Sequence, residues 1–282
     1  MNVRTGFVCA GLATALSCPS AAVANFIVFS AGGDDTPASI QATVDSFRAA
    51  LGNPVNGNNP GPLAGGRREI NWDGGNATTA SPAANPFAGF QNTRGALFTT
   101  AGTAFLQTPL DAPELDAINP TYEEIFSFFS PVRIFTAIGS NVLDATFTIP
   151  GHPSDAATVS GFGAVFTDVD LANGASLTFF DVNDNPIFSQ FVAPGTVPDG
   201  SLSFLGAIAD AGERIARVRV MQGTTAPGPD DAPQALVDIV ALDDFLYAEP
   251  VAQVDEPSLL ALLGAAWIAL LAGRAARRRT AR

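Results

Sequence analysis

Seven short apolar segments follow one another between Asn141 and Tyr247, each bounded by Gly, Pro, Asn or Asp: "NVLDATFTI", "ATVSGFGAVFTDV", "SLTFFD", "IFSQFV", "LSFLGAI", "RIARVRVM" and "LVDIVALDDFLY". Their spacing of about 10 to 15 residues, with turn signals between them, suggests a β-sandwich. In "RIARVRVM", Val218 and Val220 alternate with Arg217 and Arg219, which predicts a strand with one buried and one wet face. "TFFDVNDNPIFSQF" predicts two strands joined by a turn over 181–186. Upstream, "NFIVFSA", "RREINWDGG", "RGALFTT", "TAFLQT" and "VRIFTAI" have the same character, and "TYEEIFSFFS" has room for a helical turn.

One helix interrupts this pattern. Ile40, Val44, Phe47 and Leu51 recur at the helical period over 37–51, with Thr36 placed to cap it, Pro37 at its first position and Gly52 at its end. "NPVNGNNPGPLAGG" then predicts loop. The expected architecture is mainly β: one antiparallel, jelly-roll-like β-sandwich over 25–250 with a single N-terminal helix. The 21 Phe against two Tyr and two Trp fit a packed interior better than a wet binding face.

The two ends differ from this body. Arg4, the apolar run "GFVCAGLATALSC" and "SAAVA" have the three-part form of a secretory signal over 1–24, with Ala22 and Ala24 at the cleavage site for signal peptidase. Cleavage there removes Cys9 and Cys18, the only cysteines, and excludes disulfides, thiol catalysis and thiolate metal sites from the mature chain. Over 25–254 there are 8 Arg and no Lys against 25 carboxylates, a net of −17. Such a surface repels phosphate backbones, so nucleic acid is not an expected partner.

The C-terminal segment, 251–282, contains an apolar stretch from Leu259 to Ala272 followed by Arg274, Arg277, Arg278, Arg279 and Arg282. As a helix those 14 apolar residues rise about 21 Å, short of the ~30 Å hydrocarbon core of a bilayer. The Arg cluster would stay cytoplasmic and leave the body outside. Glu256, Pro257 and Ser258, the brief apolar helix and Arg277, Arg278 and Arg279 together resemble the PEP-CTERM sorting signal of Gram-negative bacteria. That resemblance implies transient membrane anchoring, handling by an exosortase-type protease, and a place at the envelope or in the matrix of an exopolysaccharide-producing cell. Asp255 stands where the pattern has Pro, and an ordinary C-terminal anchor is the competing reading.

Two groups of residues are candidate sites. Trp72, with Arg68 and Asp73, is the densest mixture of recognition-type side chains, although the same residues would serve if Trp72 plugged the core and Arg68 paired with an acid. Asp168 and Asp170 share a strand face, and Asp243 and Asp244 stand in the final strand. In a jelly roll these carboxylates could meet around a structural calcium, which takes six to eight oxygens. "DVNDN" begins like a calcium loop, but Pro186 occupies the position that needs Gly, so a turn is expected. His152, the single histidine, lies in a Gly/Pro/Ser segment and is expected to be solvated. These features predict an exported, non-enzymatic protein that binds or accompanies exopolysaccharide. The alternatives are a secreted glycan hydrolase using a pair of Asp or Glu carboxylates, and a surface protein that assembles with itself.

Overall fold

The computed structural model describes residues 25–73 and 82–253, with Trp267 beyond them. The signal segment, with Ala22 and Ala24, lies outside the described residues. So does the sorting segment with Glu256, Pro257, Ser258, Arg277, Arg278 and Arg279.

The body is mainly β, built of two antiparallel sheets. The first contains β1 (Phe26–Gly32), β11 (Leu202–Ala209), β8 (Gly161–Thr167), β13 (Ala241–Ala248), β5 (Ile134–Ile138) and β4 (Ala104–Thr108) in that spatial order, with β2 (Arg67–Ile70) also on β13. The second contains β10 (Pro186–Phe191), β9 (Ser176–Phe180), β12 (Arg217–Met221), β6 (Val142–Ile149), β7 (His152–Thr158) and β14 (Val251–Ala252), with β3 (Ala96–Thr100) also on β6. Each expected strand of the first half is present. The segment "ATVSGFGAVFTDV", expected as one strand, is two: β7 begins earlier, at the exposed His152, and belongs to one sheet, while β8 belongs to the other. The chain changes sheet across Val159 and Ser160, a switch that an apolar run cannot display.

The sheets meet through aromatic side chains. Phe162 of β8 lies 6.4 Å from both Phe147 of β6 and Phe179 of β9, and Phe98 of β3 lies 5.6 Å from Phe245 of β13. These separations are those of favourable edge and tilted aromatic pairs. The two sheets differ on their outer faces, and the sequence shows it. β6 and β12 alternate buried and open positions because their outer face is wet, whereas β8 and β13 are buried at every position.

The outer face of the first sheet is covered by helices. α1 (Ala38–Leu51) lies over β1 and β11, and Phe47 packs on Phe29 and Phe204 at 5.4 and 5.3 Å. Gly163 and Gly206 face each other across β8 and β11, and a Cβ on either would come within 3.0 Å of the Phe47 ring. Those glycines therefore provide the flat patch on which the helix sits. Farther along, the one-turn helices α3 (Pro113–Asp116) and α4 (Tyr122–Ile125) cover Leu106, Ile134, Ile239 and Ala241. A further single turn, α2 (Gln91–Arg94), precedes β3. Gly52 ends α1 at φ 102°, as expected, but Thr36 does not cap it: its hydroxyl donates to Asp34 Oδ1 at 2.6 Å. Asp34 is the stronger acceptor and holds both the Thr36 amide and hydroxyl.

Candidate functional site

The chemistry of the body concentrates where β13 departs from regular pairing. Leu242 pairs with Phe166 and Phe245 with Ala164, so Asp243 and Asp244 together oppose Val165 alone. Such a bulge breaks the alternation that would otherwise send consecutive side chains to opposite faces. Both carboxylates reach Ser130: Oδ1 of Asp244 lies 2.7 Å and Oδ1 of Asp243 3.2 Å from its hydroxyl. Asp73 joins them from the segment after β2, with Oδ2 at 3.1 Å from the same oxygen.

Each of these acids is fixed through its other oxygen. Asp243 Oδ2 accepts the Phe129 and Ser130 amides at 2.7 and 3.2 Å. Asp73 Oδ1 accepts the Val132 and Arg133 amides, and Asp244 Oδ2 accepts from Arg48 Nη2 of α1 at 3.2 Å. That guanidinium nitrogen is shared with Glu69 Oε2 at 3.3 Å. Burial, then the adjacent Asp244 charge, pushes the Asp243 carboxyl well above the ordinary range. Burial also raises Asp244, against the opposing pull of Ser130 and Arg48.

Asp168 and Asp170 stand elsewhere, so the expectation of one four-carboxylate calcium cluster is corrected. Asp168 follows β8 at φ 68° and faces the 198–201 loop: its Oδ1 accepts the Gly200 amide at 3.0 Å, and its Oδ2 is buried without a partner. Burial above all, then Asp170, Asp231 and Asp238, pushes the Asp168 carboxyl up to about 9. Asp170 is raised to about 6 by burial, Asp231 and Asp199. Asp238, which accepts the Leu171 amide at 3.1 Å, is also raised to about 6, chiefly by burial. Asp170, Asp199 and Asp231 line an open pocket of about 400 Å³ with Pro198, Pro233 and Gln234. The two Asp pairs separate because one lies past the end of β8 and the other at the bulge, where it turns toward the 129–133 segment.

For the Trp72 group the structure takes the core-plug and paired-arginine reading, so Trp72 and Arg68 are not surface recognition residues. Trp72 and Arg68 are each 0% exposed. Trp72 stacks on Phe135 at 3.8 Å, meets Phe245 edge-on at 5.1 Å, and donates Nε1–H to the Asp243 carbonyl at 2.8 Å. Arg68 grips Glu249 through Nε and Nη2 at 2.6 and 2.7 Å, a bidentate pair inside the body. An apolar ring and an arginine with its acid both gain from enclosure, so the core took them. Only Asp73 of that group belongs to the convergent site. Sequence reading missed Ser130 and Arg48. Nothing local marks them, because the bulge that selects them arises from strand pairing.

The turn at 181–185 is a turn: Asp181 Oδ1 accepts the Asn183 and Asn185 amides, each at 2.8 Å. No protein-family model matches the chain, and no curated protein and no solved structure matches it.

Proposed function

We propose that this chain is an exported, non-enzymatic protein of the cell envelope or extracellular matrix, sorted by an exosortase-type system and associated with exopolysaccharide. The observation that carries the proposal is the placement of the body between the two terminal signals. β1 begins at Phe26, two residues after Ala24, and β14 ends at Ala252, four residues before Glu256. Asn25 is held at that boundary: its backbone nitrogen lies 3.0 Å from Glu213 Oε1, and its side-chain amide donates to Asp210 Oδ2 at 3.0 Å. Among the described residues, the aromatic core joining the sheets is drawn from between these limits.

The finer fold assignment belongs to the same proposal. Successive strands change sheets from β8 to β9, β10 to β11, β11 to β12 and β12 to β13. That alternation supports a jelly-roll-like sandwich. The glycan-hydrolase alternative draws no support from the Ser130-centred acids, because Asp243 and Asp244 are 0% and 3% exposed and offer no surface to a sugar. The association with exopolysaccharide is tested by retention of the purified mature protein on the host's own polysaccharide, with and without calcium. Retention under either condition supports it, and no retention under both removes it.

A further inference from the structure

An edge strand presents a row of unpaired N–H and C=O groups that invites a further strand. Most edges of this body are covered by its own chain. Ala83 exchanges both backbone hydrogen bonds with Phe105 of β4, at 2.7 and 3.1 Å, and Phe87 does the same with Phe98 of β3, at 2.8 and 3.1 Å. Arg67 of β2 bonds to Pro54 and Asn56, and β14 is only two residues long. The remaining edge strands are β1, paired with β11, and β10, paired with β9; among the described residues neither has a second strand or bridge. These two edges lie side by side, with Phe26 of β1 resting on Phe188 of β10 at 5.1 Å.

The direction of the free groups on β1 follows from its ladder. Asp210 N–H donates to the Asn25 carbonyl at 2.9 Å, and Gly33 N–H to the Leu202 carbonyl at 2.8 Å. Antiparallel pairing alternates, so Ile27, Phe29 and Ala31 turn their backbone groups to β11, while Phe26, Val28, Ser30 and Gly32 turn theirs outward. Gly32 is closed off, since a Cβ there would strike the Pro194 carbonyl. The open edge is therefore 26–30. It has none of the devices that keep edges apart: no charge, no Pro, and an unbroken seven-residue register with β11. Ile27 and Val28 are 49% and 39% exposed, and Phe191 of β10 is 48% exposed. Among the described residues no other strand exposes a large apolar side chain to that degree.

We propose that a second copy of this chain pairs with β1 edge to edge, antiparallel about a two-fold axis at Val28. The three open outward residues are centred there, so Val28 meets its own counterpart and Phe26 meets Ser30 of the second copy. On the face toward α1, Ile27 then lies opposite Phe29 of the second copy, an apolar cross-strand pair. Charge favours this occupant. The body holds 8 Arg against 25 carboxylates over 25–254, whereas 26–32 and 186–191 hold no charged residue, so a like-charged copy meets least repulsion along these strands. Two of the segments outside the described residues start elsewhere: 74–81 runs toward Ala83 on β4, and 254–282 leaves from β14, at the opposite edges of the sheets from β1 and β10. This inference goes beyond the export proposal and does not depend on it.

The test is sedimentation equilibrium of the full chain in a non-ionic detergent, which solvates the apolar segments at both ends. We expect dimers at about 100 μM that dissociate toward monomers at about 1 μM, as suits a small, transient contact. Ser30→Pro deletes an outward N–H and no hydrogen bond to β11, at a position where an edge strand accepts Pro. It should weaken the dimer about tenfold or more, because symmetry removes the bond twice. Ile27→Lys should act likewise by placing charge in the contact, while Leu236→Lys, at a 72% exposed site elsewhere, should leave the dimer unchanged. Circular dichroism of each variant establishes that it is folded. Three results overturn the proposal. One is a folded parent chain that stays monomeric at the higher concentration. Another is a dimer that both Ser30→Pro and Ile27→Lys leave intact, which would place the contact in the end segments or on another surface. The third is growth beyond dimers, since a two-fold pairing closes on itself.

Discussion

Asp168→Asn should remove a large part of the pH dependence of stability above pH 6. The parent carboxyl is buried and held up to about 9, while in the unfolded chain it titrates near its ordinary value of 3.8. Between those limits the folded protein binds one more proton than the unfolded chain at this position, so stability falls as pH rises through the window. The stabilisation is complete below about pH 4 and exhausted above about pH 9. Asp170 and Asp238, each raised to about 6, add to the fall at the acid end and are largely spent above about pH 7. From pH 6.5 to 8.5 the Asp168 contribution is one proton, about 1.4 kcal/mol per pH unit and so ~2.7 kcal/mol at most. For a body of this size that is about 5–10 °C in Tm.

Asparagine keeps an acceptor for the Gly200 amide and tolerates the left-handed backbone at φ 68°. It also places an uncharged nitrogen where Oδ2 has no partner. The variant should match the parent below about pH 4 and exceed it increasingly toward pH 8.5, in urea or thermal unfolding with EDTA present. Parallel curves for the two proteins across pH 6.5–8.5 would show that Asp168 is ionised at neutrality and would refute the reasoning.

Three other substitutions probe the frame. Glu249→Gln strands the Arg68 guanidinium inside the body, where Glu249 is its one carboxylate partner among the described residues, and should cost about 3–5 kcal/mol by chemical denaturation. Replacing both partners with apolar residues of similar volume should recover much of that loss. Trp72→Ala removes the ring stacked on Phe135 and the hydrogen bond to the bulge, and should cost about 3–5 kcal/mol of stability, read by chemical denaturation. Gly163→Ala places a methyl 2.8 Å from both Phe47 and Phe204 and should cost about 1–3 kcal/mol, read as a lower urea midpoint with an unchanged slope.

Local pattern carried most of the fold. Val218 and Val220 alternate with arginines and are buried, Ile40, Val44, Phe47 and Leu51 form the inward face of α1, and Gly52 ends it. These features depend on residues only a few positions apart. What was hidden depends on pairing between distant segments. The division of β7 from β8 is a choice of sheet, and the fates of Trp72 and Arg68 were set by Phe135 and Glu249, 63 and 181 residues away. The candidate site shows the same limit. "DD" in the last strand and Asp73 after β2 were visible as acids, but their meeting required a bulge opposite Val165 and a serine from an intervening loop.

The central claim, an exported chain trimmed at both ends, is tested most directly by terminal-peptide mass spectrometry of the protein recovered from the host's envelope and medium. The account predicts a mature N-terminus at Asn25 and no peptides from Leu259 to Arg274. Recovery of those peptides from membrane-bound protein would make the tail a permanent anchor and contradict exosortase sorting. An N-terminus still carrying residues 1–24 would contradict export itself.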